Sequence, residues 1–340
     1  MKIAVLSPIA WRTPPEKYGP WEQVASNITE GLVKKGYDVT LFATGDSITK
    51  AKLDWVCKLP YELDKENDPK VLEALHISHL MEQAHRFDII HNHFDFLPLS
   101  YSGLIKTPML TTIHGFSSSK ILPVYKKYNA STAYVSISNS DRNNALDYLA
   151  TIYHGLDSEK FTFRKEKEDY LLYFGRIHPH KGAHAAIEIA RKAGFPLKIA
   201  GLIQDEAYFN SEIKPYLDNE NVHYLGNVGP EVRDRLLGSA KALLHPIYFE
   251  EPFGLSVLEA MMCGTPVIAF NRGSMPELIE DEKTGFLPGS ILEAVLAVRA
   301  LSKIKPETCR AQAVKNFSLE TMVNAYIEAY KTVIESKTGK

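Results

Sequence analysis

The sequence predicts an α/β protein made of two successive parallel-sheet domains, and three observations carry that prediction. Short apolar runs recur, each followed by a helical stretch and then by another apolar run. The series stops near residue 157 and restarts at residue 170. The chain is 340 residues long, beyond the size at which a single hydrophobic core usually stops growing.

In order, residues 3–6 are short and wholly apolar, as a strand buried on both faces should be. A proline-rich loop, 7–20, carries Trp11, Arg12, Tyr18 and Gly19. Residues 21–35 read as a helix ended by Gly36, and 38–43 as the next strand, which completes a βαβ unit. No G-x-G-x-x-G follows the first strand, so this half lacks a dinucleotide fingerprint. The loop is longer than a plain βα connection requires, which points to a binding role. A helix over 71–86 follows, then strands over 87–91, 108–113 and 133–137. Each strand releases polar residues at its carboxyl end: His91 and His93, His114-Gly115, and 138–140. Open α/β sheets bind ligands at that edge. Singly, each histidine reads as a satisfied polar residue; the shared edge is what suggests a site.

Residues 158–169 are charged and poor in apolar side chains, the composition of an interdomain linker. Strands over 170–174, 197–200, 222–226 and 242–246, with helices over 183–193 and 231–239, form the second series. Residues 1–157 and 170–317 thus read as two Rossmann-like domains facing each other across a cleft. Met322, Ala325, Tyr326, Ala329, Tyr330 and Val333 recur at helical spacing. The segment 318–340 is therefore expected as an amphipathic helix that returns to the first domain.

Composition excludes several classes. With 39 basic and 41 acidic residues the chain has no general nucleic-acid surface. Cys57, Cys263 and Cys309 are scattered, with no CxxC or Cys/His cluster, so neither a disulfide framework nor a zinc site is indicated. A cytoplasmic location is the expectation. The first apolar run is too short for a signal peptide, and no stretch approaches the ~20 residues needed to span a bilayer. Lys120, Lys126, Lys127 and Tyr128 read as a solvated helix face in preference to a peripheral membrane contact, which usually needs two signals.

The stretch 250–266 concentrates the chemistry. It opens as a loop punctuated by Pro252 and Gly254, becomes a short helix with Ser256 near its first turn, and closes with Gly264 and Pro266. The open helix start, with bare N–H groups and the positive end of the dipole, suits a phosphate. Glu251 precedes it and Glu259 lies two turns inside. Two carboxylates so spaced can hold sugar hydroxyls on either side of a phosphate; the competing reading is a capped helix with solvated glutamates. Arg176 and Lys181 share one loop between Gly175 and Gly182. Arginine offers a planar fork to phosphate oxygens and lysine a movable point charge, although such a pair is also common on solvated loops.

Taken together, these motifs resemble glycosyltransferase family 4, the retaining nucleotide-sugar transferases of the GT-B fold. The resemblance is carried by Gly175-Arg176 with Lys181-Gly182, by Glu251-Pro252-Phe253-Gly254 with Glu259-Ala260-Met261, and by residues 264–268. Residues 273–277 and 284–287 complete it. Tyr18-Gly19-Pro20-Trp21-Glu22 and Ile113-His114-Gly115 extend it more loosely into the first half. It implies that Arg176 and Lys181 bind the donor diphosphate, with Gly175 allowing close approach. Glu259 would hold the ribose and Glu251 a hydroxyl of the donor sugar. Phe253, Gly254, Leu255 and Ser256 would supply backbone contacts, while Gly226, Asn227 and Val228 lie near the base. His114 would contact the donor sugar, and Gly19 would let its loop approach the phosphates. The family often has two glycines at that loop; here Pro20 takes the second place and removes an N–H donor.

The implied activity is retaining transfer of a hexose from a nucleoside diphosphate sugar, UDP-linked ahead of GDP-mannose, to a hydroxyl on a glycan, lipid or small molecule. No cofactor is expected. With no Asp-x-Asp motif in the sequence, the cations and the helix start must neutralise the leaving diphosphate. Retention then fits front-side attack, and Glu251 as a glycosidase-type nucleophile is the minor reading. Three rivals remain open at this point: a nucleotide-sugar epimerase, a phosphorylase-like enzyme with pyridoxal phosphate, and a non-catalytic nucleotide-sugar-binding subunit.

Overall fold

The computed structural model describes residues 1–116, 118–218 and 220–338. It divides into two compact units, Met1–Gly155 with Leu319–Lys340, and Leu156–Ser318.

The first unit is a parallel sheet of β1 (Lys2–Leu6), β2 (Asp38–Phe42), β3 (Lys52–Asp54), β4 (Ile89–Asn92), β5 (Met109–Ile113), β6 (Ala133–Ser136) and β7 (Tyr148–Thr151). Their spatial order is β3-β2-β1-β4-β5-β6-β7. β1 pairs with β2 on one side and β4 on the other, both in parallel register. Ile3, Ala4, Val5 and Leu6 are wholly buried, which is why the strand has no polar face to alternate with. β3 and β7 are edge strands that the apolar pattern does not reveal, since Lys52-Leu53-Asp54 holds one apolar residue.

The helix Pro20–Lys34 follows β1, with Pro20 as its first residue. That position has no intrahelical N–H to lose, so proline starts the helix at no cost in hydrogen bonds. The helix Leu319–Thr338 lies against it. Gly31 permits the approach: a Cβ there would fall 2.4 Å from Val323 Cγ2. Tyr326 and Tyr330 are fully buried and reach β5 and β4 with their hydroxyls, Tyr326 to Thr112 at 2.8 Å and Tyr330 to His91 at 2.7 Å.

The second unit repeats the plan with β8 (Leu171–Phe174), β9 (Leu197–Ala200), β10 (Val222–Tyr224), β11 (Ala242–His245), β12 (Val267–Ala269) and β13 (Gly285–Phe286). Their order is β10-β9-β8-β11-β12-β13, and every pairing is parallel. Each sheet therefore reverses direction beside its first strand, between β1 and β4 and between β8 and β11. Crevices at such reversal points, beyond the carboxyl ends of the strands, are where doubly wound sheets take ligands.

Residues 158–169 differ from the linker that their composition suggests. They belong to the second unit and are tied to it by Arg164 N to Cys263 O (3.2 Å), Glu168 N to Ser239 O (2.7 Å) and Thr162 N to Asp234 Oδ1 (2.8 Å). Lys167 Nζ donates to Gly238 O and Thr265 Oγ1. Charged side chains dominate the composition, whereas the backbone and one lysine head group make the attachment. Among the described residues, no helix is long and apolar enough to cross a membrane.

Candidate active site

In the second unit the loops after β8 and β11 meet at the reversal point of the sheet. The β8 loop begins at Gly175, whose N–H donates to Ala200 O. A Cβ on Gly201 would lie 1.7 Å from Gly175 O, so these strand ends pack backbone to backbone. Gly201 N in turn donates to Gly226 O at 2.9 Å. Gly175 and Gly226 thus share one edge, with Asn227 and Val228 partly exposed just beyond it. Arg176 is held by Tyr173, whose hydroxyl donates to its carbonyl at 2.7 Å, and its guanidinium donates to Gln204 Oε1 at 2.5 Å.

The loop then makes a short turn, Pro179–Lys181, that ends at Gly182 with φ +74°. A Cβ on Gly182 would fall 1.9 Å from Pro246 O, and Tyr248 N donates to His180 O at 2.7 Å. This docking delivers Lys181 to the β11 loop. Its Nζ donates to Glu251 Oε2 at 2.5 Å and stands 4.5 Å from the centre of the Phe249 ring. His245, the last residue of β11, places Nε2 3.3 Å from the same oxygen.

Glu251 is buried. Burial alone would raise its pKa, but Lys181 and His245 outweigh it and hold the carboxyl down at about 2. The loop around it is clamped by Gly273: a Cβ there would lie 2.3 Å from Glu251 N, and Ser274 N donates to Glu251 O.

The helix Leu255–Met262 starts after Gly254, whose φ is +94° and whose Cβ would lie 3.7 Å from Glu251 Cγ. No side chain caps this end. Val257 N and Leu258 N turn back on Gly254 O, while Leu255 and Ser256 are partly exposed and present first-turn N–H groups that lack intrahelical partners. Phe253 is already engaged, its ring edge-on to Phe317 and its carbonyl accepting from Ser274 Oγ. Glu259, buried on the same helix, pairs with Arg233 Nη1 at 3.2 Å. Burial raises its pKa, and Arg233 only partly offsets that.

Lys181 and Glu251 are thus brought into contact, and Gly254 lies beside the Glu251 side chain. Arg176 shares their loop, but its guanidinium is bonded to Gln204, and Glu259 faces Arg233. His245, Arg233 and Gln204 were not singled out from sequence. His245 alone carried a signal, since it ends a strand as His91 and His114 do.

In the first unit, the loop after β1 folds over Glu22. Trp11 N donates to Glu22 Oε1 at 3.2 Å, and a Cβ on Gly19, φ +152°, would lie 3.1 Å from Glu22 Oε2. Burial pushes the Glu22 carboxyl up to about 7. His114, just past β5, is buried and shares a hydrogen bond of 2.9 Å with His93 through its Nε2 and His93 Nδ1. Trp21 stacks on it at 5.5 Å and His154 lies 5.3 Å away, ring to ring. His91 completes the row, shared between Tyr330 and Thr112. Burial first, then like charge nearby, drives His91, His93 and His114 well below the ordinary histidine range, and burial takes His154 to about 3. The neutral form is thus favoured at His114, with one ring nitrogen as donor and the other as acceptor.

Two doubly wound parallel sheets in succession are the building plan of the GT-B fold. Residues 157–313 match the family model described as glycosyl transferases group 1, and residues 21–160 match glycosyltransferase family 4. Together the two glycosyltransferase models cover residues 21–313, and the chain is a glycosyltransferase. It is 23% identical to an uncharacterised glycosyltransferase of Methanocaldococcus jannaschii, over 98% of this chain and 99% of that one. It is 22% identical to glycogen synthase of Mycobacterium tuberculosis, over 95% and 93%. The crystal structure of Anabaena HepE in complex with UDP shares the fold, with a TM-score of 0.74 at 19% identity over 98% and 100% of the chains.

Proposed function

We propose that this enzyme transfers a hexose, with retention of configuration, from a nucleoside diphosphate sugar to a hydroxyl acceptor, and that UDP is the preferred carrier. The observation that carries the reading is the meeting of Lys181, Glu251 and the uncapped helix start at Gly254 on one reversal point. A mobile cation and outward N–H groups there are what a diphosphate needs. Lys181 and Arg176 neutralise the departing diphosphate, Glu251 holds a sugar hydroxyl, and Glu259 holds the ribose once Arg233 yields. Gly226, Asn227 and Val228 flank the base. His114 and the Gly19 loop stand at the carboxyl edge of the first sheet, where a substrate would meet it.

The acceptor oxygen bonds to the anomeric carbon as the bond from that carbon to the β-phosphate oxygen breaks. The acceptor proton passes to the leaving phosphate. Double displacement would instead need a carboxylate that attacks the anomeric carbon, whereas the role assigned to Glu251 is to hold a sugar hydroxyl. Charge neutralisation by side chains and helix start supports a reaction independent of added metal. Three free, buried cysteines fit a reducing cytoplasm.

The test is incubation of the purified chain with UDP-glucose, UDP-galactose, UDP-N-acetylglucosamine and GDP-mannose and a panel of hydroxyl acceptors, with and without EDTA. The expected result is a product of unchanged anomeric configuration by NMR, formed equally in EDTA. An inverted product, or activity abolished by EDTA and restored by a divalent cation, overturns the corresponding part.

A further inference from the structure

Two groups converge on a single oxygen atom in the second unit. Glu251 Oε2 takes the Lys181 ammonium at 2.5 Å and lies 3.3 Å from His245 Nε2. That nitrogen is buried and makes no aligned hydrogen bond to any partner. Among the described residues, no other cationic side chain forms an ion pair with this carboxylate. The imidazole is held by its strand: Phe270 N and Ile247 N both donate to His245 O, at 3.2 and 3.0 Å. This buried histidine, its ring nitrogen aimed at a carboxylate that Lys181 already holds more closely, is the second and more distant partner of Glu251 in the ligand-free molecule.

The balance between the two partners changes when a donor binds. If Lys181 turns to the diphosphate it must leave Glu251, and a buried carboxylate stripped of its partner is strongly destabilising. We propose that His245 is a positioning residue that takes over Glu251 as Lys181 moves to the donor phosphates. A small approach converts the 3.3 Å contact into a hydrogen bond from Nε2–H to the carboxylate. Glu251 then stays fixed toward the sugar while the lysine is released. Lys181 can make this move because its turn is anchored through backbone contacts at His180 and Gly182, which leaves the side chain free to swing. The inference rests on the reading of Lys181 as a diphosphate ligand.

The experiment measures UDP and GDP affinity by titration calorimetry on the full chain for wild type, His245→Phe, His245→Gln, Lys181→Ala and the Lys181→Ala/His245→Phe double variant. A hydrogen bond to a charged group sets the expected scale: His245→Phe weakens the preferred nucleotide about tenfold or more. His245→Gln, which keeps a terminal N–H donor, recovers most of that loss. In the Lys181→Ala background the phenylalanine has no further effect, because there is no lysine to release. The melting temperature of free His245→Phe stays near that of wild type, since Lys181 still holds Glu251. Wild-type affinity in His245→Phe, or an equal loss in both backgrounds, overturns the inference. A lowered melting temperature with unchanged affinity also overturns it, as the signature of a structural role. If Lys181→Ala itself binds both nucleotides normally, the reading of Lys181 fails instead. Should His245→Phe not fold, His245→Leu carries the same expectation.

Discussion

The carboxyl edges of the two sheets share a topology and differ in charge. In the first unit four buried histidines line the edge, all held neutral by desolvation. In the second, the corresponding edge carries Arg176, and Lys181 and Arg233 are locked to Glu251 and Glu259. The same strand order thus supplies one surface of uncharged hydrogen-bonding groups and one of stored ion pairs. Only the second can compensate a diphosphate, whose departure needs positive charge. The first offers no such charge: its imidazoles are buried, His91 between Tyr330 and Thr112 and His93 against His114.

The largest expected effect tests the charged edge. Lys181→Ala removes one member of a buried pair, and such truncations cost on the order of 2–5 kcal/mol. Donor turnover, as kcat/KM, should fall about thirtyfold or more, with the far-ultraviolet circular dichroism unchanged. A variant with normal kinetics would leave the second edge without its proposed role.

The next tests the neutral edge through Glu22. Its carboxyl is raised from 4.5 to about 7, so the unfolded chain ionises first as pH rises. The wild type therefore loses stability between these values, by up to about 3 kcal/mol, and the loss is complete above pH 7. Glu22→Gln does not ionise. In urea unfolding, the variant should gain on wild type by that amount between pH 4.5 and pH 7. A gap that is constant with pH would refute the assignment.

Gly31→Ala addresses the helix that completes the first unit. The added methyl overlaps Val323, and overpacking of this kind costs about 1–3 kcal/mol. Thermal unfolding should report the loss, with nucleotide binding retained.

The smallest effect concerns the histidines themselves. Because their folded pKa values lie below the ordinary value, their contribution to stability is full above about pH 6.5 and is lost as pH falls. Between pH 6 and 8 the ring-proton NMR signals of His91, His93, His114 and His154 should not titrate. A midpoint near 6.5 for any of them would place charge on the edge described as neutral.

Much of the fold was legible from alternation alone. Apolar runs of four or five residues separated by helical periodicity mark β1, β5, β8 and β11, whose residues are almost all buried. β3, β7 and β13 escaped because short edge strands carry little apolar signal. The segment 158–169 misled because composition reports side chains, whereas backbone hydrogen bonds attach it. Within the candidate site, Lys181, Glu251 and Gly254 were legible from motif spacing and resemblance. Their neighbours Gln204, His245 and Arg233 were not, because parallel crossovers bring together residues from separate loops and helices, and local sequence does not record which loops will meet. The raised pKa of Glu22 was equally hidden, since it follows from how the loop closes over the carboxyl.

The helix Leu319–Thr338 has a consequence for biogenesis. It supplies Tyr326 and Tyr330 to a sheet whose strands are all complete by Thr151. On a ribosome adding about 5–20 residues per second, residues 156–318 separate the two events by roughly ten to thirty seconds. Throughout that interval the nascent first unit exposes an apolar groove and lacks the phenol partners of His91 and Thr112. The second unit, contiguous in sequence, can finish folding before the first, so the portion synthesised earliest reaches its native packing last.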